Sequence, residues 1–216
     1  LNWWYFYQKL GLNQKIVVFA EDQTVFSKLQ HSKHFKVFLS DSSDKNILES
    51  QKYNSKGYKD IVSRRATHIL KVFDNAQKII YSDIDTIWMK NPIPYFTGDY
   101  VIWGGEDNPG DICTGFFAIV KTPATIKLVK QWNAELQKKP QLNQPLFNKL
   151  LKSTDIKFTY LISQKFPNGA IYFSKKRPRD PVIIHNNYVI GKNNKINRFK
   201  NIKLWNPSPT IFNNNM

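Results

Sequence analysis

The chain has 216 residues, of which 41% are hydrophobic and 14% aromatic, so disorder is excluded and one domain over residues 1–216 is expected. It lacks the run of about eighteen apolar residues that a membrane span needs, and its lone cysteine excludes an internal disulfide, so we expect a soluble, cytoplasmic protein. The net charge of +16 fits a polyanionic partner, but the basic residues are scattered singly, which argues against nucleic acid. The first residue is Leu1, as expected for a domain excised from a longer chain.

The first forty residues predict a strand, a helix and a second strand. Residues 15–22 (KIVVFAED) and 34–41 (HFKVFLSD) are short apolar runs that end in acids, and residues 23–31 between them have helical spacing. This alternation is typical of a parallel sheet, in which ligands bind at the carboxyl edge of the strands. Residues 40–57 are polar and predict a loop.

Further helices are predicted downstream. The apolar residues of segment 58–75 follow a 3.6-residue period, a helix begins at Thr122 and Pro123, and another covers residues 145–151. A strand begins at Ile79, and beyond residue 155 short apolar runs alternate with Pro, Gly and Asn. The sequence therefore predicts an α/β domain in which helices flank a mainly parallel central sheet.

Two acids, Asp83 and Asp85, follow the apolar run at Ile79 in the segment KIIYSDIDTIWMKNP. In an extended segment residues i and i+2 point to the same side, so both carboxylates would face one point beyond the strand. Hard divalent cations take such oxygen ligands and complete their shell with phosphates and water. The alternative is that both acids are surface residues at a strand-to-turn junction, because a lone Asp-x-Asp is a weak motif.

The segment DIDTIWMKNP, together with VVFAED, CTGFFAIVKTP and VIIHNNYVIGKNNK, resembles the nucleotide-diphospho-sugar transferases with a GT-A fold. More narrowly, it resembles the family that includes plant rhamnogalacturonan xylosyltransferases, from Trp3 to about Lys200. The resemblance implies a single Rossmann-like GT-A domain that transfers a sugar from a nucleotide-diphosphate sugar, with UDP the expected nucleotide, to a hydroxyl of a glycan or glycoprotein. The size and composition also resemble the glycosyltransferase domains that large DNA viruses of algae use on their capsid protein.

The resemblance also implies roles for individual residues. Asp83, Asp85 and His185 would bind a divalent cation, and the imidazole favours Mn²⁺ over Mg²⁺. The residues implied at the nucleotide sugar are Ala20 and Asp22 near the base, Arg65 (or Arg64) at the nucleotide, Thr114 and Gly115 against the sugar, and Lys192 or Lys195 near the diphosphate.

The chain departs from the family where a helix begins near the acceptor. The family commonly has Asp-Gln at this point, whereas Asn143 and Gln144 stand here. A mechanism with a carboxylate at position 143 is therefore in doubt, while Gln144 is expected to hydrogen-bond the transferred sugar. Retention, which the resemblance suggests, needs little help from a base, and inversion stays open; the candidates nearest in sequence for a general base are Glu106, Asp107 and Asp111.

Three further residues have expected roles, and three other functions are compatible with the sequence. Trp103 and Tyr188 are candidates for stacking on a sugar or base, and Cys113 is expected to be buried and unreactive. One alternative function is a basic nucleic-acid-binding protein, and another is a metal-dependent nuclease or phosphatase that uses the same carboxylates. A third is a lectin-like domain without catalysis.

Overall fold

The computed structural model describes residues 1–40 and 51–206, and most of the predicted polar loop, residues 41–50, lies outside them. The helices are α1 (Asn2–Gln8), α2 (Gln23–Leu29), α3 (Lys56–Ser63), α4 (Arg65–Phe73), α5 (Pro123–Lys138), α6 (Asn143–Leu151), α7 (Gly169–Tyr172) and α8 (Lys192–Asn201), with a short 3-10 helix at Ile93–Tyr95. The strands are β1 (Ile16–Ala20), β2 (Phe35–Leu39), β3 (Lys78–Ser82), β4 (Thr86–Trp88), β5 (Ile102–Glu106), β6 (Ile112–Val120), β7 (Phe158–Leu161) and β8 (Ile183–His185).

The strands form a mixed arrangement. β1 pairs in parallel with β2, the central sheet has the order β3-β6-β5-β7, and β4 pairs with β8. The α/β class is confirmed, but the mainly parallel sheet is seen only in part. Of the five pairings in the described residues, two are parallel and three antiparallel.

The antiparallel pairing of β5 and β6 follows from the short connection between them. The backbone N–H of Asp107 donates to the carbonyl of Asp111 at 3.1 Å, and Gly110 adopts φ +79° in the turn. Strands joined by so short a turn pair antiparallel, whereas a parallel pair needs a longer crossover. The nine-residue β6 then pairs with β3 on its other side, which brings Phe116 in the middle of β6 beside Ser82 at the end of β3.

The core between the central sheet and helices α4, α5 and α6 positions one side of the site. The predicted start of α5 is confirmed: Thr122 and Thr125 form a reciprocal capping box, with Pro123 in the first turn. Trp132 of α5 is fully buried, and its Nε1 donates to the carbonyl of Asn143 at 3.0 Å. This bond joins α5 to the start of α6 and so places Gln144.

The single helix predicted over residues 58–75 is wrong in one respect, because the chain forms α3 and α4 with a break at Arg64. The side chains on either side of the break contact different strands. Arg64 pairs with Glu21 after β1 at 2.6 Å, whereas Arg65 pairs with Asp83 after β3.

No helix among residues 1–40 and 51–206 has the length and apolar character that crossing a membrane requires.

Candidate metal centre

Asp83 and Asp85 follow β3 in a tight turn, and not in the extended segment predicted from their spacing. The carbonyl of Asp83 accepts from the backbone N–H of Thr86 at 3.1 Å and from its hydroxyl at 2.8 Å. Ile84 lies between the two acids and is 71% exposed. The extended backbone that we predicted for these two residues is therefore wrong, but their carboxylates do converge.

His185 meets the two acids because β8 pairs with β4. Thr86 lies opposite His185, and the N–H of Asn186 donates to the carbonyl of Asp85 at 3.0 Å. Nε2 of His185 lies 3.4 Å from Asp85 Oδ1 and 3.9 Å from Asp83 Oδ2. One ligand atom from each of the three residues can be chosen so that all lie within 4.8 Å of one another.

Gly115 keeps the space between these side chains open. Its carbonyl accepts from the N–H of Asp83 at 2.7 Å, so its backbone lies directly beside the acid. A Cβ at this position would lie 2.4 Å from Cε1 of His185 and 2.6 Å from Oδ2 of Asp83. One methyl group at Gly115 would therefore fill the space between the three side chains. Two carboxylates and an imidazole around this space are a donor set that suits Mn²⁺ or Mg²⁺.

Arg65 supports Asp83 from the buried side. Its Nη2 donates to both carboxylate oxygens at 2.8 and 3.0 Å, and its Nη1 donates to the hydroxyl of Thr114 at 2.8 Å. The guanidinium also lies 4.8 Å from the ring centroid of Tyr81. Of the two arginines that the sequence left open for the nucleotide, Arg65 is the one that contacts a candidate metal ligand, and its role at the nucleotide stays a prediction.

Lys195 of α8 contacts Oδ2 of Asp85, while Lys192 is exposed in the first turn of the same helix. Burial by itself raises the pKa of Asp85, but His185 and Lys195 outweigh that effect and lower this pKa well below its usual range. Asp85 is therefore ionised, as a metal ligand must be, whereas the imidazolium of His185, whose pKa Asp85 helps to raise, would lose its proton on binding a cation.

Gln144 is fixed beside the centre through both ends of its amide. Its Oε1 accepts from the N–H of Thr114 at 3.0 Å, and its Nε2 donates to Oδ2 of Asp107 at 3.0 Å. Asn143, which stands where the family commonly has an acid, is 5% exposed, and its Nδ2 has no hydrogen-bond partner among the described residues.

The three candidate bases are all engaged. Oδ1 of Asp107 accepts from Asn187 Nδ2 at 2.9 Å and from Asn168 Nδ2 at 3.4 Å, so both oxygens of this carboxylate are bonded. Glu106 accepts from the N–H of Gly110 at 2.8 Å. Asp111 pairs with Lys152 at 2.7 Å.

The two residues predicted to lie near the nucleotide base are at the carboxyl end of β1. They are bonded to neighbours other than the metal centre. Ala20 is buried and its carbonyl accepts from the N–H of Ser40, while Asp22 caps α2 by accepting from the N–H of Val25 at 2.8 Å. The acid that faces Arg64 here is Glu21. The sequence did not single out Glu21, although it lies in the same motif.

Three further observations bear on the sequence predictions. Trp103 is 3% exposed and bonded to the carbonyl of Thr97, so stacking on a ligand is excluded for it, whereas Tyr188 is 51% exposed. Cys113 is buried as expected, and its Sγ lies 3.5 Å from Nδ1 of His185, on the side of the ring away from the Nε2 that faces the two acids. Neither this contact nor the role of Asp107 has a local sequence signal, because both depend on residues far apart in the chain.

Known sequences identify the family of this chain. A profile described as nucleotide-diphospho-sugar transferase matches residues 11–199. The chain belongs to the nucleotide-diphospho-sugar transferase family. The resemblance read from the motifs around Asp83 and Asp85 is therefore confirmed.

Relatives of this chain include four UDP-D-xylose:L-fucose alpha-1,3-D-xylosyltransferases from Arabidopsis thaliana. UDP-D-xylose:L-fucose alpha-1,3-D-xylosyltransferase 3 is 27% identical over 240 residues, covering 94% of this chain and 62% of the relative. UDP-galactose:fucoside alpha-3-galactosyltransferase of Dictyostelium discoideum is 28% identical over 194 residues, covering 72% of this chain and 29% of the relative. The chain thus spans less than two thirds of the length of these relatives.

Solved structures agree with the GT-A fold of this transferase family. A glycosyltransferase involved in the glycosylation of the major capsid of PBCV-1 has a TM-score of 0.55 at 12% identity, covering 89% of this chain and 100% of that one. The WbbM bifunctional glycosyltransferase has a TM-score of 0.53 at 12% identity, covering 89% of this chain and 51% of that one. At such identity the likeness shows the fold alone.

Proposed function

We propose that this chain transfers a sugar from a UDP-linked donor to a hydroxyl of a fucose-bearing glycan or glycoprotein, with Mn²⁺ or Mg²⁺ at Asp83, Asp85 and His185. The observation that carries the proposal is the convergence of these three side chains within 4.8 Å at the edge of the sheet. The names of the relatives, which pair UDP-xylose or UDP-galactose with fucose or a fucoside, support the donor and acceptor. A cytoplasmic place of action stays a prediction from the sequence.

The chain's own residues would bind and orient the donor. Asp83, Asp85 and His185 would hold the cation, which when bound neutralises charge on a diphosphate leaving group. Lys195, whose ammonium already lies at Asp85, supplies a second positive charge for the same diphosphate. Arg65 holds Asp83 in position through two hydrogen bonds, so it acts through the acid.

The bonding around Gln144 favours transfer with retention of configuration. Inversion needs a base that accepts the proton of the attacking hydroxyl. Asn143 is no base, and the nearby carboxylate of Asp107 is bonded through both oxygens to amide groups. We therefore propose that Gln144, and no carboxylate, lies beside the transferred sugar.

A transfer assay tests this function. The chain is incubated with UDP-xylose or UDP-galactose, methyl α-L-fucoside and Mn²⁺, and products are identified by mass spectrometry. We expect a disaccharide and free UDP, both abolished by EDTA and by Asp85→Asn. Asp180→Asn is the matched control, because Asp180 also pairs with lysines but is exposed.

Other outcomes distinguish the alternatives. Metal-independent binding of DNA that weakens steeply with salt, without transfer, would favour a nucleic-acid-binding protein. Hydrolysis of phosphate esters without use of any nucleotide sugar would favour a phosphoesterase. Either result in place of transfer would contradict the proposed function.

A further inference from the structure

Tyr188 has a backbone conformation that is unusual for its residue type. Its φ is +56°, in the left-handed region that non-glycine residues rarely adopt. Arg198 of α8 donates to the carbonyls of Asn187 at 3.0 Å and Tyr188 at 3.4 Å, and so fixes this conformation. Strained residues of this kind cluster at ligand-binding sites, where the surrounding structure enforces them.

The Tyr188 ring is held in place without being buried. Its hydroxyl donates to the carbonyl of Asp107 at 2.9 Å, yet the residue is 51% exposed. The ring is thus fixed at its backbone and at its hydroxyl, while half of its surface is open. A ligand that binds to it would therefore cause little loss of side-chain entropy.

The bonds of Asp107 link this ring to Gln144, which is fixed beside the candidate metal centre. Through its carboxylate Asp107 holds Gln144, and it also holds Asn187, the residue before Tyr188. Asn187 is in turn two residues after the candidate ligand His185. Tyr188 therefore lies on the acceptor side predicted for Gln144.

One neighbour of Tyr188 in the chain is also apolar and exposed: Ile190, two residues later, is 58% exposed. An open aromatic ring fits a ligand that itself carries an apolar group. Fucose, named in the relatives' acceptors, has a methyl group at C6 where most hexoses have a hydroxymethyl group.

From this geometry we infer that Tyr188 forms a subsite for the acceptor, which takes the apolar face and the C6 methyl of a 6-deoxy sugar. The inference rests on the proposed function and deepens it: Tyr188 would select the acceptor, while the metal centre binds the donor. Tyr188 is then a residue that determines specificity, through a contact with the substrate itself.

Two acceptors that differ in one hydroxyl test the inference. Methyl α-L-galactoside is methyl α-L-fucoside with a hydroxyl added at C6, and kcat/KM is measured for both with the same UDP-sugar. We expect the wild-type chain to prefer the fucoside between about tenfold and about 100-fold, the range that an apolar pocket achieves against one added group. Tyr188→Phe, which keeps the ring, should retain most of this ratio.

The decisive variant is Tyr188→Gly, because glycine adopts a positive φ freely and the chain should stay folded, which thermal melting checks. The fucoside-to-galactoside ratio of kcat/KM should fall to about one to threefold, because the tyrosine ring that contacts the methyl group is gone. Tyr100→Ala, an exposed tyrosine at the other end of β5, is the control and should leave the ratio unchanged.

The outcomes separate this inference from the proposed function. A ratio near one in the wild type, or an undiminished ratio in Tyr188→Gly, would overturn the subsite while transfer itself stands. Release of UDP from the donor without transfer to either sugar would overturn both the subsite and the fucose-bearing acceptor, while use of a UDP-linked donor stands. Failure of the wild type to use any UDP-sugar would remove the proposed function and the subsite together.

Discussion

The ammonium of Lys195 contacts the carboxylate of Asp85, although 110 residues separate them in the sequence. Asp83 is held in a similar way by Arg65, at 2.8 Å. Each acid of the metal centre thus has its own cation, so the cluster carries little excess negative charge. A divalent cation should therefore bind most tightly together with the diphosphate, whose negative charges it would balance.

The contact of Lys195 with Asp85 predicts opposite effects on metal and nucleotide. In Lys195→Met, Asp85 loses a competing cation, so affinity for Mn²⁺ alone should rise severalfold. Affinity for UDP in the presence of Mn²⁺ should fall about tenfold or more, because a charge-assisted hydrogen bond is lost. Isothermal titration calorimetry measures both.

Lys192→Met is the companion variant, since the sequence left Lys192 and Lys195 as alternatives. Lys192 is exposed, and the described residues show no ion pair for it, so its removal should change neither affinity more than about twofold. A larger loss of UDP affinity in Lys192→Met than in Lys195→Met would assign the diphosphate to Lys192 instead.

The close contact of Gly115 with His185 and Asp83 predicts that one added methyl group will weaken the binding of Mn²⁺. In Gly115→Ala the new Cβ would meet His185 at 2.4 Å and Asp83 at 2.6 Å, so the ligands must separate. Affinity for Mn²⁺, measured by calorimetry, should fall at least about tenfold. Gly105→Ala is the matched control, because its Cβ would find no atom closer than 3.7 Å, and it should bind Mn²⁺ like the wild type. Equal affinity in both variants would place the cation elsewhere.

A site residue could be predicted from the sequence when it belongs to a short motif, and could not when its role depends on residues far away in the chain. Asp83 and Asp85 lie within one motif, and the resemblance added His185 and Gly115, which the structure brings to the same place. The reasoning for the convergence of the acids was nevertheless wrong, because Asp83 and Thr86 close a turn. A turn and a strand end can aim side chains to the same point, and the spacing alone does not tell them apart.

The remaining features depend on partners distant in the sequence. The short turn after β5 makes β6 antiparallel, and nothing in the apolar pattern of β6 states this direction. The break between α3 and α4 at Arg64 falls within a continuous 3.6-residue pattern of apolar residues, so the pattern does not show it. At this break Arg64 pairs with Glu21, whereas Arg65 pairs with Asp83. Asp107 bonds to residues 37 and 80 positions away, so its role in holding Gln144 is visible only in the fold.

The bonds of Asp107 predict a loss of stability and its rescue. Asp107→Asn places an amide donor among the amide donors of Gln144, Asn187 and Asn168, so one bond must be lost. The free energy of unfolding should fall by about 1–3 kcal/mol. In the double variant with Gln144→Glu the donor and acceptor exchange places, and chemical denaturation should show most of the stability restored. A double variant less stable than Asp107→Asn would contradict this network.

Buried His68 predicts a specific sensitivity to acid. Burial, followed by the charges of Arg65 and Arg64, lowers the pKa of His68 to about 3, so the imidazole is neutral despite lying 3.8 Å from Glu21. Below pH about 6.5 the unfolded chain takes up a proton that the folded chain does not, so stability falls as the pH falls from there toward about 3. Between pH 7 and pH 5 this amounts to about 2 kcal/mol.

His68→Gln should remove this part of the pH dependence while leaving a group that can bond to Ser40, the partner of His68 Nε2 at 2.9 Å. Denaturation at pH 7 and pH 5 compares the two chains. A loss of stability between these pH values that is the same in both would show that His68 does not titrate as described.

Thermal melting with UDP, with and without Mn²⁺, in the wild type and in Asp85→Asn tests the metal centre most directly. We expect UDP at about 100 times its Kd to stabilise the wild type by about 2.7 kcal/mol only when Mn²⁺ is present. This stabilisation should vanish in Asp85→Asn. Equal stabilisation by UDP without metal, or in the variant, would contradict a cation held by Asp83, Asp85 and His185 that receives the diphosphate.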